Sequence, residues 1–211
     1  VSVVIPAYNE EKYLGETLDR LNEQEHHGFD FEVLVADAQS TDKTVEMAKK
    51  YGAIVISVPK INPATARQLA IEQSRGEIIC CIDADTLVPK NHLSTVVNEF
   101  NNDPKAVGLT GIIEGSGGNR LVNFIYKWMN TLFSRLNFLL GKTGFQGQSF
   151  AFRKSAFLKI NGFNTSFSTG EDFDLGCRMS IVGKIKLIPE TFGISSKWRI
   201  KEGPLKTISR G

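Results

Sequence analysis

Four short runs constrain this chain most: "VSVVIP" at its start, "FEVLVAD" from Phe31, "AIVISV" from Ala53 and "EIICCID" from Glu77. Each is almost continuously apolar and rich in β-branched residues, which suits a strand buried on both faces. Helical patterns alternate with them. Leu14, Leu18 and Leu21 recur at helical spacing within Glu10–Gln24, and further helices are expected over Thr41–Tyr51 and Pro63–Ser74, the latter with proline at its first turn. Such alternation predicts an α/β fold: a Rossmann-like, mostly parallel central sheet flanked by helices. In sheets of this kind, ligands bind beyond the carboxyl ends of the strands.

The polar residues that interrupt the pattern fall at those ends. Tyr8, Asn9 and Glu10 follow the first run, Asp37 ends the second, and Asp83 and Asp85 end the fourth. If the strand continued through "DAD", the two aspartates would leave the backbone on the same side and repel each other. A divalent cation shared with phosphate oxygens would resolve that repulsion, since magnesium and manganese are commonly held by one or two carboxylates plus substrate phosphates. The plainer reading is a solvated turn before the next helix.

Beyond the fourth run, a helix over Asn91–Asn101 and a strand near Ala106–Ile112 are expected, then a long amphipathic stretch and a further α/β segment. No repeat, low-complexity tract or linker divides the 211 residues, so a single domain is expected, with halves at 1–114 and 115–211. A net charge of +2 is too small to make nucleic acid the main partner. Cys80, Cys81 and Cys177 lack metal spacing and read as thiols in a reducing compartment. His26, His27 and His92 sit in polar surroundings and read as surface residues. The chain starts at Val1 directly with a strand pattern and no signal peptide is visible in it; the missing initiator methionine and the abrupt end at "KTISRG" suggest flanking segments.

Taken in order, "VVIPAYNE", "VADAQSTDKT" and "CIDADT" resemble the opening half of family 2 glycosyltransferases, inverting sugar transferases of the GT-A fold. "GFQGQSFAFRKSAFLKINGF" and "GEDFDLGCR" resemble the acceptor half, so the resemblance runs from Val1 to about Pro189. The second motif departs from the usual tandem acid and glycine, reading Asp37, Ala38, Gln39. The Q-x-x-R-W motif of processive synthases is absent, although "SSKWRI" lies near its place.

The resemblance implies a nucleotide-sugar donor, with UDP favoured over GDP, and a Mn2+ or Mg2+ cofactor. Pro6, Ala7, Tyr8, Glu10, Asp37 and Arg67 would line the nucleotide site, Asp83 would reach the ribose or the metal, and Asp85, completing the DxD motif, would bind the cation. A carboxylate accepting a ring N–H beside a tyrosine suits uracil. Glu10 as a first-turn acid and Arg67 as an exposed helix position are the plainer alternatives. In "STGEDFDLGCR", Asp172 would be the general base for a hydroxyl acceptor, with Glu171 orienting it or binding the acceptor. The same residues also fit a Thr169–Asp172 capping box and an Asp174–Arg178 ion pair. Arg178, Lys197 and Arg199 are candidates for neutralising phosphate. Transfer to a polyprenyl phosphate, which needs no base, and a non-catalytic sugar-nucleotide-binding module are the competing functions.

The stretch Arg120–Leu140 places Leu121, Ile125, Trp128, Leu132, Leu136 and Leu139 at steps of three and four, with Asn123, Lys127, Asn130, Arg135 and Asn137 opposite. Polar interruptions prevent it from spanning a bilayer. No aspartate or glutamate occurs between Gly115 and Gly170, while Arg120, Lys127, Arg135, Lys142, Arg153, Lys154 and Lys159 are basic. That one-signed stretch suits peripheral contact with an anionic membrane, or a lipid-linked or glycan acceptor at its cytoplasmic face. The alternative is a helix packed on the domain's own core or in a homodimer.

Overall fold

A computed structural model describes residues 1–26, 28–115, 128, 132, 144, 145 and 147–195. The segment expected to be amphipathic lies outside the described residues except for Trp128 and Leu132, both helical and exposed, so Trp128 is not a core residue. His27, Lys197 and Arg199 also lie outside them.

The four apolar runs form β1 (Ser2–Ala7), β2 (Glu32–Asp37), β3 (Ile54–Ser57) and β4 (Ile78–Ile82). Between them lie α1 (Leu14–Asn22), α2 (Thr44–Lys50) and α3 (Pro63–Gln73). α1 and α2 start later than their patterns predicted, because the residues just past β1 and β2 form loops instead of a first turn, whereas α3 starts at Pro63 as expected. The chain continues through β5 (Thr86–Leu87), α4 (His92–Asn102), β6 (Ala106–Gly115), β7 (Ser149–Arg153), α5 (Lys154–Lys159), α6 (Glu171–Met179) and β8 (Lys184–Ser195).

Among the described residues the strands make one eight-stranded sheet in the order β3-β2-β1-β4-β7-β6-β8-β5. The first four are parallel, as their double-sided burial predicts. The sheet then turns mixed: β7 runs antiparallel to both β4 and β6, while β6 and β8 are parallel. Since Ile82 pairs with Ser149, the carboxyl end of β4 lies beside the start of β7. This reversal carries the second half of the chain to the edge where the first half ends.

Alternate strand residues feed two cores. Val3, Ile5, Cys80 and Ile82 pack under α1, α2 and α4, with Leu14, Leu18, Leu21, Val96 and Phe100. Val4, Leu34, Ile79 and Cys81 pack under α3, α5 and α6, with Ala66, Ala70, Ile71, Phe157, Leu175 and Met179. Adjacent cysteines therefore enter opposite cores, both fully buried, and burial pushes the Cys80 thiol up to about 12 and Cys81 up as well. In the second core, Phe145, Phe150, Phe152 and Phe157 stack in sequence at centroid spacings of 4.9, 6.1 and 5.1 Å.

Two expectations are corrected here. His92 is not a surface residue: it is 2 % exposed, its ring lies edge-on to Phe192 at 4.5 Å, and burial lowers its pKa to about 3. The flanking polar residues hide this, because the first turn of α4 tips inward and Leu93 is buried with it. Asp83 and Asp85 also do not share one face of a strand. β4 stops at Ile82, and the Thr86 N–H donates to the Asp83 carbonyl at 3.0 Å, closing a tight turn around Ala84.

Candidate active site

The carboxyl edge of the sheet begins with the loops after β1 and β2, which are bound into one unit. Asn9 and Gln39 both adopt positive φ, 54° and 62°, a region that asparagine tolerates and that lets each loop fold back on its strand. The Thr41 N–H donates to Asn9 Oδ1 at 2.8 Å, the Asn9 N–H to Ser40 Oγ at 2.9 Å, and the Glu10 N–H to Thr44 Oγ1 at 2.8 Å. The Ala38 N–H donates to the Ala7 carbonyl at 2.9 Å, continuing the β1–β2 register past the strand ends. Within this frame Asp37 is 4 % exposed and accepts the Ser40 N–H, while the ring of Tyr8 stands out at 40 % exposure. Pro6, Ala7, Tyr8, Glu10 and Asp37 thus share one edge, as their positions in the sequence predict.

Lys60 was not anticipated. Its Nζ donates to the Tyr8 hydroxyl at 2.6 Å and lies 4.0 Å from the ring centroid. It follows β3 by three residues, and the strand-end rule that singled out Asp37 and Asp83 would have found it if applied to β3.

The aspartate turn is held from both sides. Thr17 of α1, fully buried, donates its hydroxyl to the Ala84 carbonyl at 2.8 Å, and the Asp83 N–H donates to the Gln148 carbonyl at 3.0 Å. The Asp83 side chain is 17 % exposed, and Asp85 is 2 % exposed. No group of three or more metal-binding side chains occurs among the described residues. Two carboxylates on one turn nevertheless suit magnesium or manganese, whose remaining positions phosphate oxygens and water would fill.

Arg67 links this turn to the second half. It is 3 % exposed; Nη2 donates to Asp83 Oδ1 at 2.7 Å and Nη1 to Glu171 Oε1 at 2.6 Å. Burial disfavours its charge, but Asp83 and Glu171 outweigh that and hold the guanidinium protonated beyond its ordinary range. The plainer alternative of an exposed helix position does not hold: Arg67 is buried and joins the end of β4 to α6. An ion network this deeply buried is strongly destabilised by losing any one member, because the others remain charged.

Glu171 and Asp172 open α6, and the expected capping box is absent. The N-cap is Gly170 rather than Thr169; its φ of 77° suits glycine, and no side chain caps the helix. The Asp172 carboxylate, half-buried, lies against the backbone of Gly147, where a Cβ would fall 2.7 Å from Asp172 Oδ2. Burial raises its pKa to about 6; the neighbouring Glu171 charge adds to the rise, and Arg67 together with the Asp172 and Phe173 N–H groups opposes it. A carboxylate poised there is ionised at neutral pH yet still basic enough to take a proton.

The Asp174–Arg178 pair forms as the spacing predicts, at 2.8 Å. Arg178 also donates to the carbonyls of Ile160 and Gly162, at 3.1 and 2.7 Å, so its guanidinium secures α6 to the preceding loop. Close approach of α6 to Gly144 and Phe145 depends on Gly176, where a Cβ would fall 2.5 Å from the Phe145 nitrogen.

A parallel first half joined to a mixed second half that delivers an acidic helix to the same edge is the arrangement of a GT-A glycosyltransferase fold. Residues 2–160 match the family model "Glycosyl transferase family 2", and the chain belongs to that family. It is 31 % identical over 120 residues to the poly(ribitol-phosphate) β-N-acetylglucosaminyltransferase TarS of Staphylococcus aureus, covering 53 % of this chain and 21 % of that protein. It is 27 % identical to a dolichyl N-acetyl-α-D-glucosaminyl phosphate 3-β-D-2,3-diacetamido-2,3-dideoxy-β-D-glucuronosyltransferase of Methanococcus voltae, across all of this chain and 71 % of that one. Among solved structures, the mannosyltransferase PcManGT of Pyrobaculum calidifontis, in complex with GDP-Man and Mn2+, superposes with a TM-score of 0.74 at 21 % identity, covering 100 % of this chain and 64 % of that one. The chain thus spans only about a fifth of TarS and under two thirds of PcManGT.

Proposed function

We propose that the chain is the catalytic portion of an inverting glycosyltransferase that moves a sugar from a nucleoside diphosphate, UDP by preference, to a hydroxyl acceptor, with Asp172 as general base. The observation that carries this reading is the joining of the two halves by Arg67, which sets a carboxylate of pKa about 6 next to the aspartate turn.

In the reaction, the acceptor oxygen attacks the anomeric carbon from the face opposite the leaving group. Asp172 takes the hydroxyl proton as the new C–O bond forms, and the bond from that carbon to the diphosphate oxygen breaks. Asp83 and Asp85 would hold Mn2+ or Mg2+, which when bound neutralises charge gathering on the leaving diphosphate. The uracil ring would enter the Tyr8 and Asp37 edge, its N–H donating to the Asp37 carboxylate. TarS acts on poly(ribitol-phosphate), and PcManGT was solved with GDP-Man, which makes GDP the competing base.

The acceptor is proposed to be a glycan or a lipid-linked sugar presented at the cytoplasmic face of a membrane. The name of the Methanococcus voltae relative supports a sugar already carried on a dolichyl phosphate. A base of raised pKa favours a hydroxyl over a bare polyprenyl phosphate. No helix among the described residues is long and apolar enough to cross a membrane. Part of the basic stretch serves internal contacts: Arg153 donates to the Phe100 and Ala106 carbonyls, and Lys154 to that of Ser74. Membrane attraction would therefore rest on Arg120, Lys127, Arg135, Lys142 and Lys159.

Nucleotide release measured from UDP-glucose, UDP-N-acetylglucosamine and GDP-mannose, with manganese, magnesium or chelator, tests the donor. Release that requires a metal and is abolished in Asp172→Asn only when an acceptor is present supports the reading. A protein that binds a donor but neither cleaves nor transfers it is instead the non-catalytic sugar-nucleotide-binding module, and one that binds none of the three refutes the donor reading. Sedimentation with anionic liposomes tests the membrane component, and the Lys127→Glu, Arg135→Glu double variant should weaken binding.

A further inference from the structure

Helix α3 does more than cover the sheet. Three of its side chains, or its cap, reach the segment that leads into the base helix. Asn62, the N-cap, accepts the Thr65 N–H at 2.8 Å and donates its Nδ2 to the Thr165 carbonyl at 2.8 Å. Gln68 accepts the Phe163 N–H through Oε1 at 3.0 Å, and that same oxygen lies where a Cβ on Gly162 would fall, at 2.2 Å. Arg67 takes Glu171 at 2.6 Å and Asp83 at 2.7 Å. The loop from Gly162 to Gly170 has no regular structure of its own and is largely exposed. Arg178, Gly176 and the buried Leu175 and Met179 hold the body of α6, and the ties to α3 add a direct link from its first turn and the loop before it to the donor edge. Helix α3 is suited to this: alanines at 64, 66 and 70 pack it closely on β1 and β2, so its position is set by the sheet.

We propose that α3 is the strut that places the base helix on the donor site, with Asn62, Arg67 and Gln68 as positioning residues for the transfer step. The proposal rests on the reading of Asp172 as base. The effect is geometric: a reacting pair held about 3 Å apart reacts far faster than a loosely held one, and a misplacement of roughly 1 Å costs about 10²-fold. Asn62 and Gln68 have no hydrogen bond to the aspartate turn or Asp172; apart from the Asn62 cap on Thr65 and the Gln68–Glu72 pair within α3, their hydrogen bonds go to the 162–171 segment.

The test uses Asn62→Ser, which keeps an N-cap oxygen but cannot reach Thr165, Gln68→Ala, and the two combined. UDP binding with manganese is followed by calorimetry, amide hydrogen exchange across residues 163–175 by mass spectrometry, and turnover with whichever of the three sugar nucleotides the wild type uses. The double variant should exchange at least tenfold faster over 163–175 while β1, β2 and β4 stay protected. It should bind UDP within about twofold of wild type, and its kcat should fall at least tenfold with little change in KM for the donor. Gln68→Glu combined with Glu72→Gln, which keeps the acceptor oxygen for the Phe163 N–H and reverses the 2.8 Å hydrogen bond between residues 68 and 72, should recover most of the loss. Unchanged exchange overturns the strut whatever the activity shows, and faster exchange with unchanged kcat overturns the positioning role. A wild type that binds no nucleotide and turns over no sugar overturns the underlying reading of the site, while the exchange result still reports separately on the strut.

Discussion

Replacing Asp172 by asparagine should yield a protein that is inactive and yet more stable at neutral pH. The two effects share one cause. Burial beside Glu171 raises the carboxyl pKa from 3.8 to about 6, so the folded protein retains a proton that the unfolded chain gives up. Between those values the native state binds the extra proton, and its stability falls as pH rises. At about 1.4 kcal/mol per pH unit the ionised group costs on the order of 3 kcal/mol above pH 6, an upper bound for a half-buried side chain. Asparagine is nearly the same size and carries no charge. Its melting temperature at pH 7.5 should therefore exceed that of wild type by a few degrees, and the gap should close toward pH 4. Turnover should fall by roughly 10²-fold to 10⁴-fold with UDP affinity unchanged. In the free wild-type protein, Asp172 is about nine-tenths ionised at pH 7 and about one-tenth at pH 5, so kcat/KM should drop about tenfold between them. Calorimetric melting at several pH values and a pH–rate profile read both effects. A variant that melts lower than wild type at pH 7.5, or that turns over normally, would refute the reasoning, since an acid serving only the fold would be missed there.

Asp85→Ala should abolish the increase in UDP affinity that manganese gives, with the circular dichroism spectrum preserved; equal UDP affinity with and without metal in the wild type would count against the aspartate turn as a cation site. Gly176→Ala should lower stability by about 1–3 kcal/mol, because the new methyl meets the Phe145 and Gly144 backbone, which cannot rotate away; an unchanged melting temperature would show that α6 shifts freely. His92 is buried neutral with its pKa lowered to about 3, so an unfolded chain, whose imidazole protonates near 6.5, is favoured increasingly as pH falls through that window. His92→Leu should consequently lose less melting temperature between pH 7 and pH 4.5 than wild type does, and an identical loss would place the acid sensitivity elsewhere.

What the sequence determined by itself was everything local or periodic. The apolar runs at Val3–Ile5, Leu34–Ala36 and Ile79–Ile82 could only be strands covered on both sides, and the rule that such sheets bind at their carboxyl ends brought Tyr8, Asp37, Asp83 and Asp85 to one edge. The i, i+4 pair of Asp174 and Arg178 was equally legible, being a property of one helix. Tertiary structure decided whatever depends on residues distant in the chain. No spacing rule connects Arg67 with Glu171, 104 positions away, because the antiparallel insertion of β7 between β4 and β6 brings them together, and sheet order is not written in strand patterns. The inward tilt of His92 and the close approach of Gly147 to Asp172 depend in the same way on what packs opposite. Even the raised pKa of Asp172 belongs to the fold: an isolated "GED" predicts an ordinary acid, and only burial beside a second carboxylate lifts it to about 6.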